Sequence, residues 1–338
     1  MTRVDIIGAG VSGLALAGHL PPHWEVHLYE HRAQDPAVPT LFSIFPAGRA
    51  ALAELGLQTA LDSAGLAVDS GTFSDSRGRV LTRMDGLDVR LVPRPDLLTL
   101  LGDRLPANVR VHRRTVRSRA DLVGSPDGTL VIGADGVHSG VRRAAWPARS
   151  APRRLAATAV RGVIDEEDPE PVIQEIWRPG GAFGMTPRPG GGVNWYATLP
   201  RRRFRDSAEA IDALRARWAG AKGPAAGVLR HATPARTLVN DLWQSRWPGT
   251  LVRDGSVLVG DAAHAMSPSL GRGANEALVD AVVLGRALRT MPVRRALRHY
   301  ERKRLLATQS VKHAAGLLLR LSATRHDRLR RTVLRLVP

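Results

Sequence analysis

The sequence predicts an α/β fold with an α+β insert: a parallel-sheet domain interrupted by a smaller antiparallel sheet and closed by C-terminal helices. Three observations carry this expectation. Short apolar runs at 4–7, 129–132 and 257–259 each end at a glycine and pass into a helix pattern, the strand–turn–helix sign of a parallel sheet. Between the second and third, four strand-like runs at 157–164, 172–177, 181–186 and 193–199 are separated by glycine-rich turns such as 180–181 and 190–192, which reads as an antiparallel meander. The last 50 residues keep a helical period and are rich in arginine.

The first unit reads RVDIIGAGVSG over residues 3–13. Gly8 permits a tight turn after the strand, Gly10 lets the backbone approach a pyrophosphate, and Gly13 lets helix pack on strand. Val11 and Ser12 fill the variable positions. A second strand, 25–29, ends at Glu30, 22 residues after Gly8. A carboxylate there accepts hydrogen bonds from ribose hydroxyls and repels a 2′-phosphate, which favours FAD or NAD over NADP. His31 and Arg32 follow it and join it as cofactor-binding candidates, so the first domain reads as Rossmann-like. His19, His23, His27 and His31 recur every four residues. They do not share a helix face, because Pro21-Pro22 breaks the helix and 25–29 is strand, so no metal site is expected.

Residues 40–57 read as an apolar loop and a short helix closed by Gly56, and 70–91 as short strands with turns at 76–78 and 85–86. Arg94 then opens a helix with Leu97, Leu98 and Leu101 on one side. An arginine at a helix start opposes the dipole and calls for an anionic partner. The strand at 129–132 runs into Gly133-Ala134-Asp135-Gly136 and a helix carrying Val141, Arg142 and Arg143. In the meander, Val193, Trp195, Ala197 and Leu199 share one face, and Asn194, Tyr196 and Thr198 the other. A helix at 207–220 and a loop-rich return at 224–250 follow.

The third unit reads SVLVGDAAHAMSPSLGRGANEALVDAVVLGRA over 256–287. Its strand ends in Gly260-Asp261; a loop with Pro268, Gly271, Arg272 and Gly273 leads through Ala274 to a helix from about Asn275. An acid after the strand suits a polyol or sugar hydroxyl, and the helix start offers unpaired N–H groups to an anionic group. His264 reads as structural rather than as a base.

Composition removes several classes. No cysteine is present, which excludes a disulfide framework, thiolate metal sites and cysteine nucleophiles. No apolar run has the length to span a bilayer, and no signal-peptide pattern is visible, so a cytoplasmic location is expected. The net charge of +18 comes from 49 basic residues, of which only Lys222, Lys303 and Lys312 are lysine. That skew fits coding bias better than a selected phosphate surface, and residues 294–338 alone carry 13 Lys/Arg against Glu301 and Asp327. No nucleic-acid partner is expected, and membrane-surface binding by the C-terminal helices is the less favoured reading.

GxGxxG with Glu30, GADG at 133–136, and GDAAH at 260–264 with PxxGxGxN at 268–275 together resemble the FAD-dependent aromatic hydroxylases, the single-component class A flavoprotein monooxygenases such as p-hydroxybenzoate hydroxylase. The resemblance covers about residues 3–310. It implies FAD as cofactor, NADH or NADPH as transient co-substrate, O2 as oxidant, and a flavin C4a-hydroperoxide that oxygenates an aromatic or polyketide-like small molecule, in secondary metabolism. Another flavin outcome is the alternative: Baeyer–Villiger oxygenation, epoxidation, reduction or non-redox use. The resemblance places Gly8, Gly10 and Gly13 at the pyrophosphate, Glu30 at the adenosine ribose, and Arg94 and Asp135 near the flavin and nucleotide. It places Asp261 at the ribityl chain, and the backbone of Gly271 to Asn275 at the flavin N1–C2=O edge. Arg272 stands where the family commonly has glutamine. The expected domains are 1–70, 92–150 and 251–290 for FAD, 71–91 and 151–250 for substrate, and 291–338 as C-terminal helices. Asn194 and Tyr196 are the substrate-pocket candidates, Phe183 and Met185 the candidate walls. The protein is expected to be a monomer or homodimer.

Overall fold

The computed structural model describes residues 2–31, 38–122, 124–126, 128–166, 170–221 and 223–324. In chain order the elements are β1 (Arg3–Ile7), α1 (Val11–Ala17), β2 (Glu25–Glu30), β3 (Leu41–Ile44), α2 (Pro46–Glu54), α3 (Gln58–Ala64), β4 (Leu66–Asp75), β5 (Val80–Pro93), α4 (Arg94–Gly102), β6 (Val109–Arg113), β7 (Leu130–Gly133) and α5 (Gly140–Ala145). Then follow β8 (Arg153–Ile164), β9 (Val172–Arg178), β10 (Gly181–Pro187), β11 (Val193–Pro200), α6 (Ser207–Trp218), α7 (Ala225–His231), β12 (Thr237–Gln244), β13 (Val252–Arg253), β14 (Ser256–Leu258), α8 (Asp261–His264), α9 (Gly273–Thr290) and α10 (Val293–Ala323).

They build two sheets. The smaller runs β13-β14-β7-β1-β2-β6 and is parallel except at its β13 edge. Its strands are short and apolar, as a sheet covered on both faces requires. Val4, Ile6, Val26, Leu28, Ile132 and Leu258 are buried in one core with α1 and α9. The larger sheet runs β12-β8-β11-β10-β9-β4-β5-β3 and is antiparallel except where β4 meets β9. The parallel units and the antiparallel insert are therefore both present.

Four local expectations change. The apolar loop at 40–45 is a strand, β3, paired with the end of β5. The Asp85-Gly86 turn signal is spent on an irregularity inside a continuous β5: the register against β4 shifts between Val68 and Ser70, and Asp88 has φ 45°. The first domain boundary, set at residue 70, thus falls within β4, and residues 41–44 pair in the larger sheet. The return at 224–250 holds α7 and β12 rather than mostly loop. Pro224 precedes α7, and β12 pairs along β8 at the sheet edge.

Of the C-terminal helices expected over 291–338, the described part is one 31-residue helix, α10, and residues 325–338 lie outside the described residues. Leu319 packs with Leu155, Ala157 and Ala159, and Leu321 with Trp177 and Ala182. Those two leucines thus face protein, on the side of an amphipathic helix that lies against the sheet. No helix among the described residues is long and apolar enough to cross a membrane.

The other face of the larger sheet has its own core, in which Phe183, Met185, Trp195 and Ala197 meet α6 and α7. Trp218 closes it, 1% exposed, edge-on to Phe183 at 5.6 Å and under the Arg178 guanidinium at 5.6 Å. Trp218→Ala is expected to cost about 3–5 kcal/mol in chemical unfolding. Leu306→Ala, at a side chain 69% exposed on α10, should change stability by less than about 0.5 kcal/mol.

Candidate active site

The carboxyl ends of β1, β7 and β14 meet at one crevice, where parallel sheets present their ligands. At β1, the Gly8 N–H donates to the Tyr29 carbonyl at 2.8 Å, and φ is +105°. A Cβ on Gly8 would lie 2.3 Å from the Ala134 carbonyl oxygen, and one on Gly13 would lie 1.9 Å from that of Gly8. Gly10 differs: nothing lies within 4 Å of its hypothetical Cβ. Two glycines are therefore needed for packing, and the middle one leaves open ground. Val11 starts α1, and Ser12 is buried below Gly260. Gly260 has φ +57°, and a Cβ there would lie 2.6 Å from the Ser12 hydroxyl.

Glu30 is fixed at the end of β2. Its carboxylate accepts from the Ala9 N–H at 3.0 Å and the His31 N–H at 2.8 Å, with the His31 ring at 3.2 Å. Arg32 lies outside the described residues.

At β7, Asp135 is chiefly a cap. Its Oδ2 accepts from the N–H groups of Gly140 at 2.7 Å and Val141 at 3.2 Å, and Oδ1 is buried without a partner. Burial raises its pKa, and the Ser139 side chain together with backbone N–H groups offsets part of the rise. The helix it caps sends Arg142 inward to the carbonyls of Ala262 at 3.0 Å, Ala263 at 3.2 Å and Arg246 at 2.5 Å. Burial lowers the pKa of that guanidinium to about 10. The GADG unit thus braces the third motif as well as lining the crevice.

At β14, Asp280 ties the turn to the helices. It accepts from the Gly260 N–H at 2.8 Å, from His264 Nε2 at 2.6 Å and from Arg304 Nε at 2.6 Å. Arg304 also donates to Glu276 at 2.6 Å. Burial alone would raise the pKa of Asp280, but His264 and Arg304 hold it at about 2. His264 is wholly buried in this cluster, which makes it a structural residue and not a base.

Asp261 points the other way. It is open to the crevice, with no hydrogen bond or ion pair among the described residues. The protein mass around it raises its pKa, against the pull of His264, Arg94 and Arg161. Pro268 begins a short 3-10 turn that ends at Gly271, φ +62°. No side chain caps α9, so the first-turn N–H groups of Gly273, Ala274 and Asn275 lack a side-chain partner; Gly273 and Ala274 are partly exposed and Asn275 is buried. The Asn275 side chain is engaged elsewhere: it accepts from the Phe45 N–H at 2.8 Å and donates to Ser43 at 2.9 Å and Gly271 at 3.2 Å. It staples the α9 loop to β3, leaving only its backbone for a cofactor. Arg272 turns onto its own helix, bonded to Glu276 at 3.0 Å and 5.8 Å from the Phe45 ring centre. Arg94 lies over Phe42 at 5.7 Å, and no carboxylate among the described residues is within ion-pair distance. Its anionic partner is not supplied by that part of the chain.

The larger sheet supplies the facing wall, and here two candidates are corrected. Phe183 and Met185 pair across the sheet with Ala197 and Trp195. By strict alternation they share the α6–α7 face and lie in its core, on the side away from Asn194 and Tyr196. Asn194 and Tyr196 do share the crevice-side face. Asn194 is engaged, accepting from the Leu41 N–H at 3.2 Å and donating to Thr186 at 3.1 Å, so it anchors β3 to the sheet. Tyr196 donates to Glu175 at 2.5 Å, and the Trp177 ring N–H donates to the other Glu175 oxygen. Burial raises the pKa of Glu175, and those two bonds offset it in part. Sequence reading missed Glu175 and Arg161 because each sits alone in an alternating strand with no motif around it. Only the register, which sets Arg161 opposite Tyr196 and Glu175 opposite Gly184, brings them together.

The family described as an FAD binding domain matches residues 1–315. The chain is 31% identical to 3-amino-4-hydroxybenzoate 2-monooxygenase of Streptomyces cremeus over 350 positions, covering 93% of this chain and 86% of the relative. The chain belongs to the FAD-dependent aromatic hydroxylases. It is an FAD-dependent monooxygenase. Its fold matches Klebsiella pneumoniae HpxO complexed with FAD and uric acid, at TM-score 0.86 and 23% identity over 98% of this chain and 91% of that one. It also matches a salicylate hydroxylase substrate complex, at TM-score 0.80 and 22% identity over 99% and 92%. The crevice fits FAD on its own terms: an open middle glycine, a fixed acid at β2, an unpartnered Asp261 and an uncapped α9.

Asp280→Asn is expected to lower unfolding free energy by about 3–5 kcal/mol at pH 7, because it leaves Arg304 and Glu276 in a broken buried network. Asp280 titrates at about 2 when folded, below the ordinary aspartate value of 3.8. Its contribution is therefore present above pH 3.8 and lost as pH falls toward 2. Urea titrations of both proteins should show the difference shrinking over that range.

Proposed function

We propose that this chain hydroxylates a small aromatic or polyketide-like molecule of secondary metabolism, using FAD, NADH or NADPH, and O2. The observation that carries the reading is the pairing of an open anion- and polyol-binding crevice with a polar sheet face opposite it. Gly8, Gly10 and Gly13, with Val11 and Ser12, seat the pyrophosphate; Glu30 and His31 receive the adenosine ribose. Asp261 takes ribityl hydroxyls, and Asp135 holds the end of β7 nearby by capping α5. The N–H groups of Gly273, Ala274 and Asn275 face the ring edge where negative charge develops on reduction. When bound and reduced by a nicotinamide, FAD supplies the oxygen-activating chemistry.

The rest falls to the protein. Arg94 and Arg161 hold the site positive around Asp261. Tyr196 donates its hydroxyl proton to Glu175 and presents its hydroxyl oxygen to the substrate side as an acceptor. The α10 helix covers the far part of the same sheet face through Leu319 and Leu321, keeping water from that end. The curated relative is named for an aminohydroxybenzoate substrate, which supports the aromatic class.

Anaerobic addition of NADH or NADPH to the FAD-loaded protein should bleach the flavin bands, faster with substrate present. Under 18O2 the product should carry one labelled oxygen. Reduction without label in any product would reject hydroxylation. Gly10→Leu should keep stability within about 1 kcal/mol of the parent, since its Cβ meets open space. The same change should weaken FAD binding about a hundredfold or more, a loss of about 2.8 kcal/mol, by fluorescence titration.

A further inference from the structure

At the end of the larger sheet away from the crevice lies a cavity of about 330 Å3. β11 passes the crevice at Asn194 and reaches the cavity at Thr198, four residues or about 13 Å further along the strand. Three parts of the chain meet there: the last turn of α10, the β9–β10 turn at Pro179-Gly180, and Arg217 near the end of α6. The turn is fixed. Gly180 has φ +85°, and its N–H donates to the Ala323 carbonyl at 2.8 Å, which ties the turn to α10. The walls are short or apolar, among them Ala156, Leu199, Pro200 and Leu319. No aromatic ring and no acid lines the space. Its volume falls in the range of small-molecule sites.

Arg217 supplies the charge. It and Arg178 brace each other across the turn: Arg178 donates to the Arg217 carbonyl, and Arg217 donates to the Pro179 carbonyl. The Arg178 guanidinium also lies over the Trp218 ring at 5.6 Å. Arg217 rests against Gly180, where a Cβ would lie 2.4 Å from its guanidinium. Neither arginine has a carboxylate within ion-pair distance among the described residues, whereas Arg215 on the same helix has Asp212 at 3.3 Å. The Arg217 Nε is buried without a hydrogen-bond partner. Burial and the neighbouring Arg178 both disfavour the Arg217 cation. An anion seated at Arg217 would offset both, and a guanidinium fork matches the two coplanar oxygens of a carboxylate. The rest of the ligand meets aliphatic walls with no ring to stack on, which suits a flexible hydrocarbon chain.

We propose that this cavity is a binding site for a medium-chain alkanoate, its carboxylate on Arg217 and its chain along Leu199, Pro200 and Leu319. The site is separate from the crevice, and its occupant does not touch the flavin. Leu319 also packs on Ala157 and Ala159 of the crevice-side face. An occupied cavity therefore holds the end of α10 against the sheet that walls the crevice.

The test is calorimetric titration of the FAD-loaded enzyme with octanoate and with octanamide, at fixed ionic strength and below the concentration at which octanoate forms micelles. One octanoate per chain should bind, tenfold or more tightly than the amide, and the flavin absorbance should not change. Arg217→Gln should remove the preference for the acid, and Arg217→Lys should keep part of it. Ala156→Phe, at an exposed position on the cavity wall, should weaken octanoate tenfold or more by filling the space. That variant leaves the arginine pair intact, so the test stands even if Arg217→Gln fails to fold. Absence of octanoate binding, equal affinity for the amide, or binding unchanged in Ala156→Phe overturns the proposal. Octanoate that perturbs the flavin bands also overturns it, since the acid would then lie in the crevice.

Discussion

The buried carboxylate of Asp280 is the constraint on which the crevice depends. It sits on α9 and holds three separate pieces: the Gly260 N–H at the end of β14, His264 on α8 and Arg304 on α10. Gly260 adopts a left-handed φ there, directly over Ser12 of the first motif. One charge therefore fixes the turn that aims Asp261 outward. A buried ion cluster is a poor source of net stability, but removing one member leaves the others uncompensated. The cluster gives up adaptability in exchange for a single geometry of strand, turn and helix start.

Positive charge is handled differently in the two halves of the molecule. Behind the crevice, cations are closed off by protein. Arg142 is spent on carbonyls, and Lys312, lowered to about 8 by burial and by Arg142 and Arg153, donates to the Ser245 carbonyl. Facing the crevice, Arg94 and Arg161 are left without acids among the described residues, and Asp261 is left without a base in hydrogen-bond contact. The protein thus arrives with its interior electrostatics settled and its ligand-facing groups unsettled, a pattern associated with sites rather than with cores.

Much of the fold was legible in the sequence because glycine and hydrophobic period act locally. Gly8 and Gly13 have steric reasons visible from spacing alone, and the meander strands follow a period of two that backbone geometry imposes. Glu30 was readable for the same reason. What was not legible depended on partners distant in the chain. The Asp85-Gly86 pair looks like a turn, but pairing with β4 turned it into an irregularity in a long strand. The helix start at Asn275 was legible, but the use of its side-chain amide to tie the loop to Ser43 and Phe45 was not. Phe183 and Met185 were placed in the pocket because their strand adjoins it. Parity against Trp195 and Ala197 decides the face, and no single strand reveals parity relative to its neighbours. Arg161 and Glu175 carry no motif at all.

The most direct test of the account is an absorption spectrum of the protein after reconstitution with FAD and removal of free flavin, followed by release and identification of the bound molecule. The account predicts flavin bands near one FAD per chain, with the free nucleotide recovered intact on denaturation. A correctly folded protein that retains no flavin would contradict it.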